Sequence, residues 1–206
     1  AILITHMPFL STIVPSEIIS GEYSKGTFRL YLTRPISRFS VFLSKIVVTY
    51  LYTTVLMLYF FYYSLFISFI ILGSGELIVF HKGILLLGED DIFWRFGLSF
   101  LFSNFVMLTS SSLCLMFSSF SKNSVTPIIS TISIVFIGTA ISIIPIDIFE
   151  LIDPYLFTGY IDIFLLAFYD PIPYDIFFNC FIVCFFWSFC FIFIGYTNFI
   201  NRDILE

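Results

Sequence analysis

Charge is scarce in this sequence and histidine scarcer: 11% of the 206 residues are Asp, Glu, Lys or Arg, and two are His. Soluble domains carry about 25% charged residues, so a water-exposed globule is excluded. Nowhere does a G-x4-G-K-[ST] loop occur, which excludes a phosphate-cradling ATPase engine of that kind within the chain. His6 and His81 stand far apart and suggest no His-based catalytic pair. Cysteine is confined to Cys114, Cys180, Cys184 and Cys190, all inside apolar runs. Cys180 and Cys184 share a helix face, but a metal site needs further ligands close by, so the four read as small buried hydrophobes. No metal and no cofactor is expected. The opening lacks a basic n-region and a small-residue cleavage site and does not read as a signal peptide; residues upstream of Ala1 are expected.

What fills the chain instead is apolar, 59% hydrophobic and 21% aromatic. A hydrocarbon core about 30 Å thick takes ~20 apolar residues as helix, so uncharged runs can be read as spans. Four runs are free of Asp, Glu, Lys, Arg and His: Ile46 to Gly75, Phe96 to Ser121, Asn123 to Ile146 and Ile176 to Asn201. Ile2 to Val14 is too short to cross unaided and reads as the tail of a span. The expected fold is therefore all-α, a polytopic transmembrane helical bundle forming one domain over 1–206. It comprises the end of a span at 1–14, a loop at 15–38 and spans at 39–72, 96–117, 125–146 and 176–198. An outer loop at 73–95, a turn at 118–124, an outer interfacial segment at 147–175 and a tail at 199–206 complete it. At 1.5 Å per residue Ile46 to Leu72 is about 40 Å long, so that helix is expected to tilt or project from the bilayer.

Sidedness follows from the cations, because short loops rich in Lys and Arg stay cytoplasmic. The 15–45 island, the Ser118 to Ser124 turn and the tail hold seven of the nine basic residues against four acids, net +3. The remaining loops hold Lys82 and Arg95 against ten acids, net −8. The first group is expected in the cytoplasm and the second outside, in a plasma or inner membrane. The acidity belongs to the outer loops and implies no nucleic-acid partner.

Between Asp147 and Asp175, apolar Ile148, Phe149, Leu151, Ile152, Tyr155 and Leu156 recur at helical spacing opposite Asp147, Glu150 and Asp153, until Pro154 and Gly159 interrupt. Two short amphipathic helices in the outer interface fit this pattern best, and a re-entrant hairpin buried against the bundle is the other solution. Ser110, Ser111, Ser112, Ser130, Ser133, Gly138, Thr139 and Ser142 suit close helix packing in preference to a conduit. Glu89, Asp90 and Asp91 read as a solvated acidic loop.

The polar island PSEIISGEYSKGTFRLYLTRPISRFSVFLSK, Pro15 to Lys45, is where another protein is expected to touch. Pro15 and Ser16 suit an N-terminal boundary. Gly26 permits a backbone break, Thr27 is a cap for a short helix, and Pro35 forces a bend at Arg34. Ser37 then offers a new cap, flanked by Ile36 and Val41 at the spacing of a hydrophobic staple. The reading is a short helix held between two breakers, able to move as a lever.

The order of residues, Glu22, Gly26-Thr27, Leu30, Leu32, Arg34-Pro35-Ile36-Ser37-Arg38 and Ser44-Lys45, resembles the E-x3-G-T…L-x-R-P-I-S-R…S-K signature of ABC-2 type transporter permeases. The SSFSKNS turn, the interfacial segment before the last span and the Asn201-Arg202-Asp203-Ile204 tail are similar in layout. The resemblance implies six spans per subunit, so the first would lie upstream. It also implies a second permease subunit, as homo- or heterodimer, and a cytoplasmic coupling helix that docks on a separate ABC ATPase, which binds the ATP. On this resemblance Glu22, Gly26, Thr27, Arg34, Pro35, Ser37, Arg38 and Lys45 are the expected docking residues.

The four long runs independently favour an outside energy source, since ion-driven carriers place ionisable groups at membrane depth and none occurs there. Two other readings stand beside the exporter permease, which is no enzyme itself. One is a non-transporting membrane scaffold whose basic loop anchors to anionic headgroups at about 1 kcal/mol per cation. The other is an intramembrane enzyme, for which no carboxylate pair, His cluster or nucleophile-base set lies at membrane depth.

Overall fold

A computed structural model describes residues 2–24, 37–73, 75, 77–80 and 84–201. Helices α1 (Ile2–Ser11) and α2 (Ile13–Ser24) follow one another with a break at Thr12. The break has a chemical cause. Pro15 has no N–H to offer the Ser11 carbonyl, so the ladder resumes only when the Ser16 amide reaches the Thr12 carbonyl at 3.0 Å. Hydroxyls of Ser11, Thr12 and Ser16 turn back to the carbonyls of Pro8, Phe9 and Ile13 at 2.7 to 2.9 Å, keeping the kinked turn saturated. The N-terminal boundary expected at Pro15 and Ser16 falls two residues earlier, where α2 starts at Ile13, and Pro15 is tolerated because the amides of a helix's first turn have no partner anyway.

Four long helices follow: α3 (Arg38–Leu72), α4 (Glu89–Phe120), α5 (Val125–Ile143) and, after short elements, α8 (Tyr174–Asn201). Each contains a stretch long and apolar enough to cross a membrane. Helix α5 stops at Ile143, where Ile144 precedes Pro145 and adopts an extended conformation, φ −82° and ψ 116°. The outer loop carries a small antiparallel hairpin, β1 (Leu77–Phe80) with β2 (Ile84–Leu87), Leu77 opposite Leu87 and Phe80 opposite Ile84. Leu72 hands over to it through Gly73, whose φ of 76° suits a residue without a side chain.

Helix α4 is the centre, packed by α2, α3, α5 and α8. Its buried side sets hydroxyls and small groups, Thr109, Ser110, Ser111, Ser112, Cys114, Ser118 and Ser119, among the larger Val106, Met107, Leu113 and Leu115. Small side chains let backbones approach, and in an apolar medium a hydroxyl gains by bonding across to its neighbour. Ser110, Ser111 and Ser112 bond the carbonyls four residues back. Ser111 and Ser112 also meet Thr53 at 2.7 Å and Tyr50 at 2.8 Å on α3, while Thr109 meets Ser188 on α8 at 3.0 Å. At Gly195 of α8 an added Cβ would stand 3.3 Å from the Met116 Cα, so the two backbones pass close there. Ser110, Ser111 and Ser112 thus serve packing as expected, whereas Ser133 and Ser142 of α5 are exposed.

The segment between α5 and α8 divides in two. Helix α6 (Asp147–Ile152) and the 3₁₀ turn at Asp153–Tyr155 are exposed, with Ile148, Leu151 and Tyr155 outward, as an interfacial amphipathic helix would be. The second 3₁₀ turn, Phe157–Tyr160, and α7 (Ile163–Leu166) are buried against α4, α5 and α8. Interfacial helices are the favoured expectation for both halves; the second half follows the buried alternative because Phe157, Tyr160, Ile161 and Ile163 belong to the main core cluster. Tyr160 donates to the Pro154 carbonyl at 2.8 Å, and burial pushes its phenol up to about 12, so it keeps that proton. Arg95 at the start of α4 clamps the segment's end, donating to the carbonyls of Ala167 at 3.3 Å and Tyr169 at 2.7 Å.

Candidate coupling site

At the opposite end of the bundle the last turn of α2 and the first turns of α3 close on each other. Ser37 sits in an extended conformation, φ −68° and ψ 141°, and its Oγ accepts the Ser40 amide at 3.2 Å, the cap expected for α3. Two turns on, Lys45 reaches back to α2. Its Nζ lies 2.6 Å from Glu22 Oε2 and donates to the Ile18 carbonyl at 2.7 Å. Lys45 is 6% exposed and Glu22 27%, so the pair sits where water screens it poorly. A charged hydrogen bond of this kind is short and stronger than a neutral one.

Arg38 projects the other way, and its guanidinium donates to the Ile200 carbonyl in the last turn of α8. A cation there meets the partial negative charge of a helix C-terminus and one of its unpaired carbonyls. Phe42 is packed between these polar anchors, its ring 5.5 Å from Tyr196 and 5.3 Å from Phe199, with Ile19 of α2 buried beside it. So α3 is fastened on one side to α2 by an ion pair and on the other to α8 by an arginine, with an aromatic wedge between.

A serine seam ties the same end to the core. The Ser20 amide donates to Ser118 Oγ at 3.0 Å, and Ser118 Oγ donates to the Ser16 carbonyl at 2.9 Å. Ser20 Oγ lies 3.4 Å from Ser124 Oγ in the turn between α4 and α5, and Asn198 donates to the Ser119 carbonyl at 2.7 Å. The ends of α2, α3, α4, α5 and α8 therefore meet in one knot. Of the expected docking residues, the structure brings Glu22 and Lys45 into contact and places Ser37 and Arg38 at the head of α3. Gly26, Thr27, Arg34 and Pro35 lie outside the described residues.

The serine seam and the Ile18 carbonyl were missed by sequence reasoning. The density of serine at 16, 20, 118, 119 and 124 was the available signal; a backbone acceptor has none. Among the described residues no group of three His, Cys, Asp or Glu side chains is placed to hold a metal ion. The knot has the makings of a mechanical joint: rigid helices, a polar hinge line and no reacting pair.

A family model described as "ABC-2 family transporter protein" matches residues 2–138, from α1 into α5. The chain belongs to the ABC-2 transporter family. This ABC-2 protein is accordingly a multi-pass membrane permease of an ABC transporter, its four long helices the apolar elements such a protein needs. The matched span contains the whole Glu22 to Lys45 signature; the buried turn at 157–160 and helix α8 follow it. No curated protein matches the sequence.

Proposed function

We propose that this ABC-2 permease is the membrane half of an exporter, driven by a separate ATP-hydrolysing subunit that seats on the end of the bundle where α2 and α3 close. That end carries most of the positive charge of the chain, which argues that it faces the cytoplasm, where the ATPase works. The observation that carries the reading is the Glu22–Lys45 contact at 2.6 Å. The segment between α2 and α3 leaves one partner's helix and enters the other's, so a push on that segment loads both helices at once. Arg38 then passes the load to α8 and the serine seam passes it to α4. A two-state bundle needs only such a bias from outside to alternate between arrangements. A second permease subunit, identical or related, completes the transporter in this reading.

The test is coupling in proteoliposomes carrying the permease with its ATPase. Glu22→Lys and Arg38→Glu are expected to leave the bundle folded but to cut permease-stimulated ATP hydrolysis at least tenfold. Full stimulation in both reversals overturns the reading. A chain that only anchors to headgroups would bind anionic vesicles equally well with its 25–36 segment scrambled and would stimulate no ATPase in any form.

A further inference from the structure

We infer that α1 and α2 form a hinged pair, in which α2 swings with the Glu22–Lys45 knot about the kink at 12–15 while α1 stays with the other half of the bundle. The hinge rests on the driven-permease reading above, since α2 is one of the two helices that such a drive loads. The paired helices belong to different cores. Met7 of α1 packs with Met57 and Met107, whereas Ile19 of α2 packs with Val41, Phe42, Leu115 and Phe199. Along the chain between those clusters lie buried hydroxyls: Thr12 and Ser16 at the kink, Thr49 and Thr53 on α3, Ser111 and Ser112 on α4. A hydroxyl turns to a new acceptor by rotating one bond, whereas close-packed apolar side chains resist sliding. The kink therefore lies in the layer of the bundle that rearranges most easily.

Bonds from two neighbouring helices hold the kink in place. Tyr52 of α3 donates to the Leu10 carbonyl at 3.0 Å, and the Cys114 thiol of α4, a weak donor, lies 3.5 Å from the Thr12 carbonyl. Pro15 denies the Ser11 carbonyl its ladder amide, and the hydroxyls of the kink bond the carbonyls of Pro8, Phe9 and Ile13 instead of this one. In a membrane such a freed carbonyl is satisfied by a Ser or Thr hydroxyl or by a neighbouring helix. Thr49 is placed for that role. Residues 45, 49 and 52 share one face of α3, and Thr49 stands between Lys45, which reaches Ile18, and Tyr52, which reaches Leu10, at the height of the kink. It is 0% exposed and its Oγ1 has no hydrogen-bond partner. An unpaired buried hydroxyl destabilises the arrangement that holds it. The observed arrangement is thus balanced against a second one, in which α2 has swung and Thr49 donates to the Ser11 carbonyl.

The experiment follows N-ethylmaleimide modification of each native cysteine, read by peptide mass spectrometry, in proteoliposomes carrying the full chain with its ATPase. Cys114, Cys180 and Cys184 are all buried, but Cys114 bonds the kink, while Cys180 and Cys184 lie against each other beside Thr109. ATP is expected to raise the Cys114 rate about tenfold, as a state populated at about 10% becomes the major one, and to leave Cys180 and Cys184 unchanged. Pro15→Ala, which returns an amide to the Ser11 carbonyl, is expected to remove that rise. Thr49→Val keeps the shape and takes away the unpaired hydroxyl, so it is expected to raise Tm and to reduce the rise, whereas loss of a merely structural threonine would not raise Tm. A Cys114 rate unmoved by ATP while the permease still stimulates hydrolysis overturns the hinge and leaves the permease reading standing. A rise retained in full by both variants also overturns it. A permease that stimulates no hydrolysis overturns both.

Discussion

Lys45 and Glu22 differ in their access to water, and that difference orders the effects of removing either. Glu22→Gln takes the countercharge from an ammonium that stays buried, whereas Lys45→Met leaves a carboxylate that is partly wet and keeps the alkyl packing of the stem. Losing a charged partner in a buried setting costs about 1–3 kcal/mol, and a partly solvated one under about 1. Glu22→Gln is therefore expected to lower Tm more than Lys45→Met, and the double variant to return to the Lys45→Met value. Equal Tm losses for the two single variants in nanodiscs would show that the pair is exposed in the membrane-embedded protein. The sequence pointed to both residues through their place in a motif, but their contact is a tertiary fact. They stand 23 positions apart in the chain, and only the packing of α2 on α3 joins them.

Elements were legible where charge was absent, and illegible where apolar chain meets apolar chain. The long helices announce themselves as uncharged runs, but lipid is as apolar as leucine, so hydrophobicity does not tell a buried face from a lipid-facing one. In α4 the hydroxyls mark the buried side, and in α3 Thr49 and Thr53 do the same, with Val47, Leu51, Val55, Tyr59 and Phe66 facing outward. The β1–β2 hairpin escaped for a related reason: LIVF and ILLL are runs too short to separate strand from helix. The burial of 157–167 was hidden in one glycine. An added Cβ at Gly138 would fall 2.3 Å from Thr158 Oγ1 and 2.7 Å from its Cβ, so the Phe157–Tyr160 turn docks on α5 only because residue 138 has no side chain. Gly138→Ala is expected to destabilise the fold by about 1–3 kcal/mol through overpacking. Thr158→Gly should restore most of that loss, since it removes every atom in the clash and the Thr158 hydroxyl has no partner to lose. Thermal unfolding of the single and double variants checks it, and a double variant no better than Gly138→Ala would place the clash elsewhere.

The whole molecule has two unlike ends joined by a belt of outward-facing aromatic and aliphatic side chains on α3, α5 and α8. One end gathers α2, α3 and the turn before α5 into the Glu22, Arg38 and serine knot; the other carries the hairpin, α6 and the Arg95 clamp. The family and the apolar helices establish a membrane permease, but only sidedness decides whether the knot faces the compartment where ATP is hydrolysed. Charge makes the expectation definite, because Lys and Arg in short loops resist translocation and acids do not. Asn123 and Glu150 are exposed at opposite ends, and the native cysteines at 114, 180 and 184 are buried, so in a Cys190→Ala background, which removes the half-buried fourth, a cysteine introduced at either position is the accessible one. Asn123→Cys in intact cells is expected to resist a membrane-impermeant maleimide and to react after permeabilisation, while Glu150→Cys reacts at once. The inverse pattern would put the knot outside, and an ATPase could then neither reach α2 and α3 nor drive them through the Glu22–Lys45 contact.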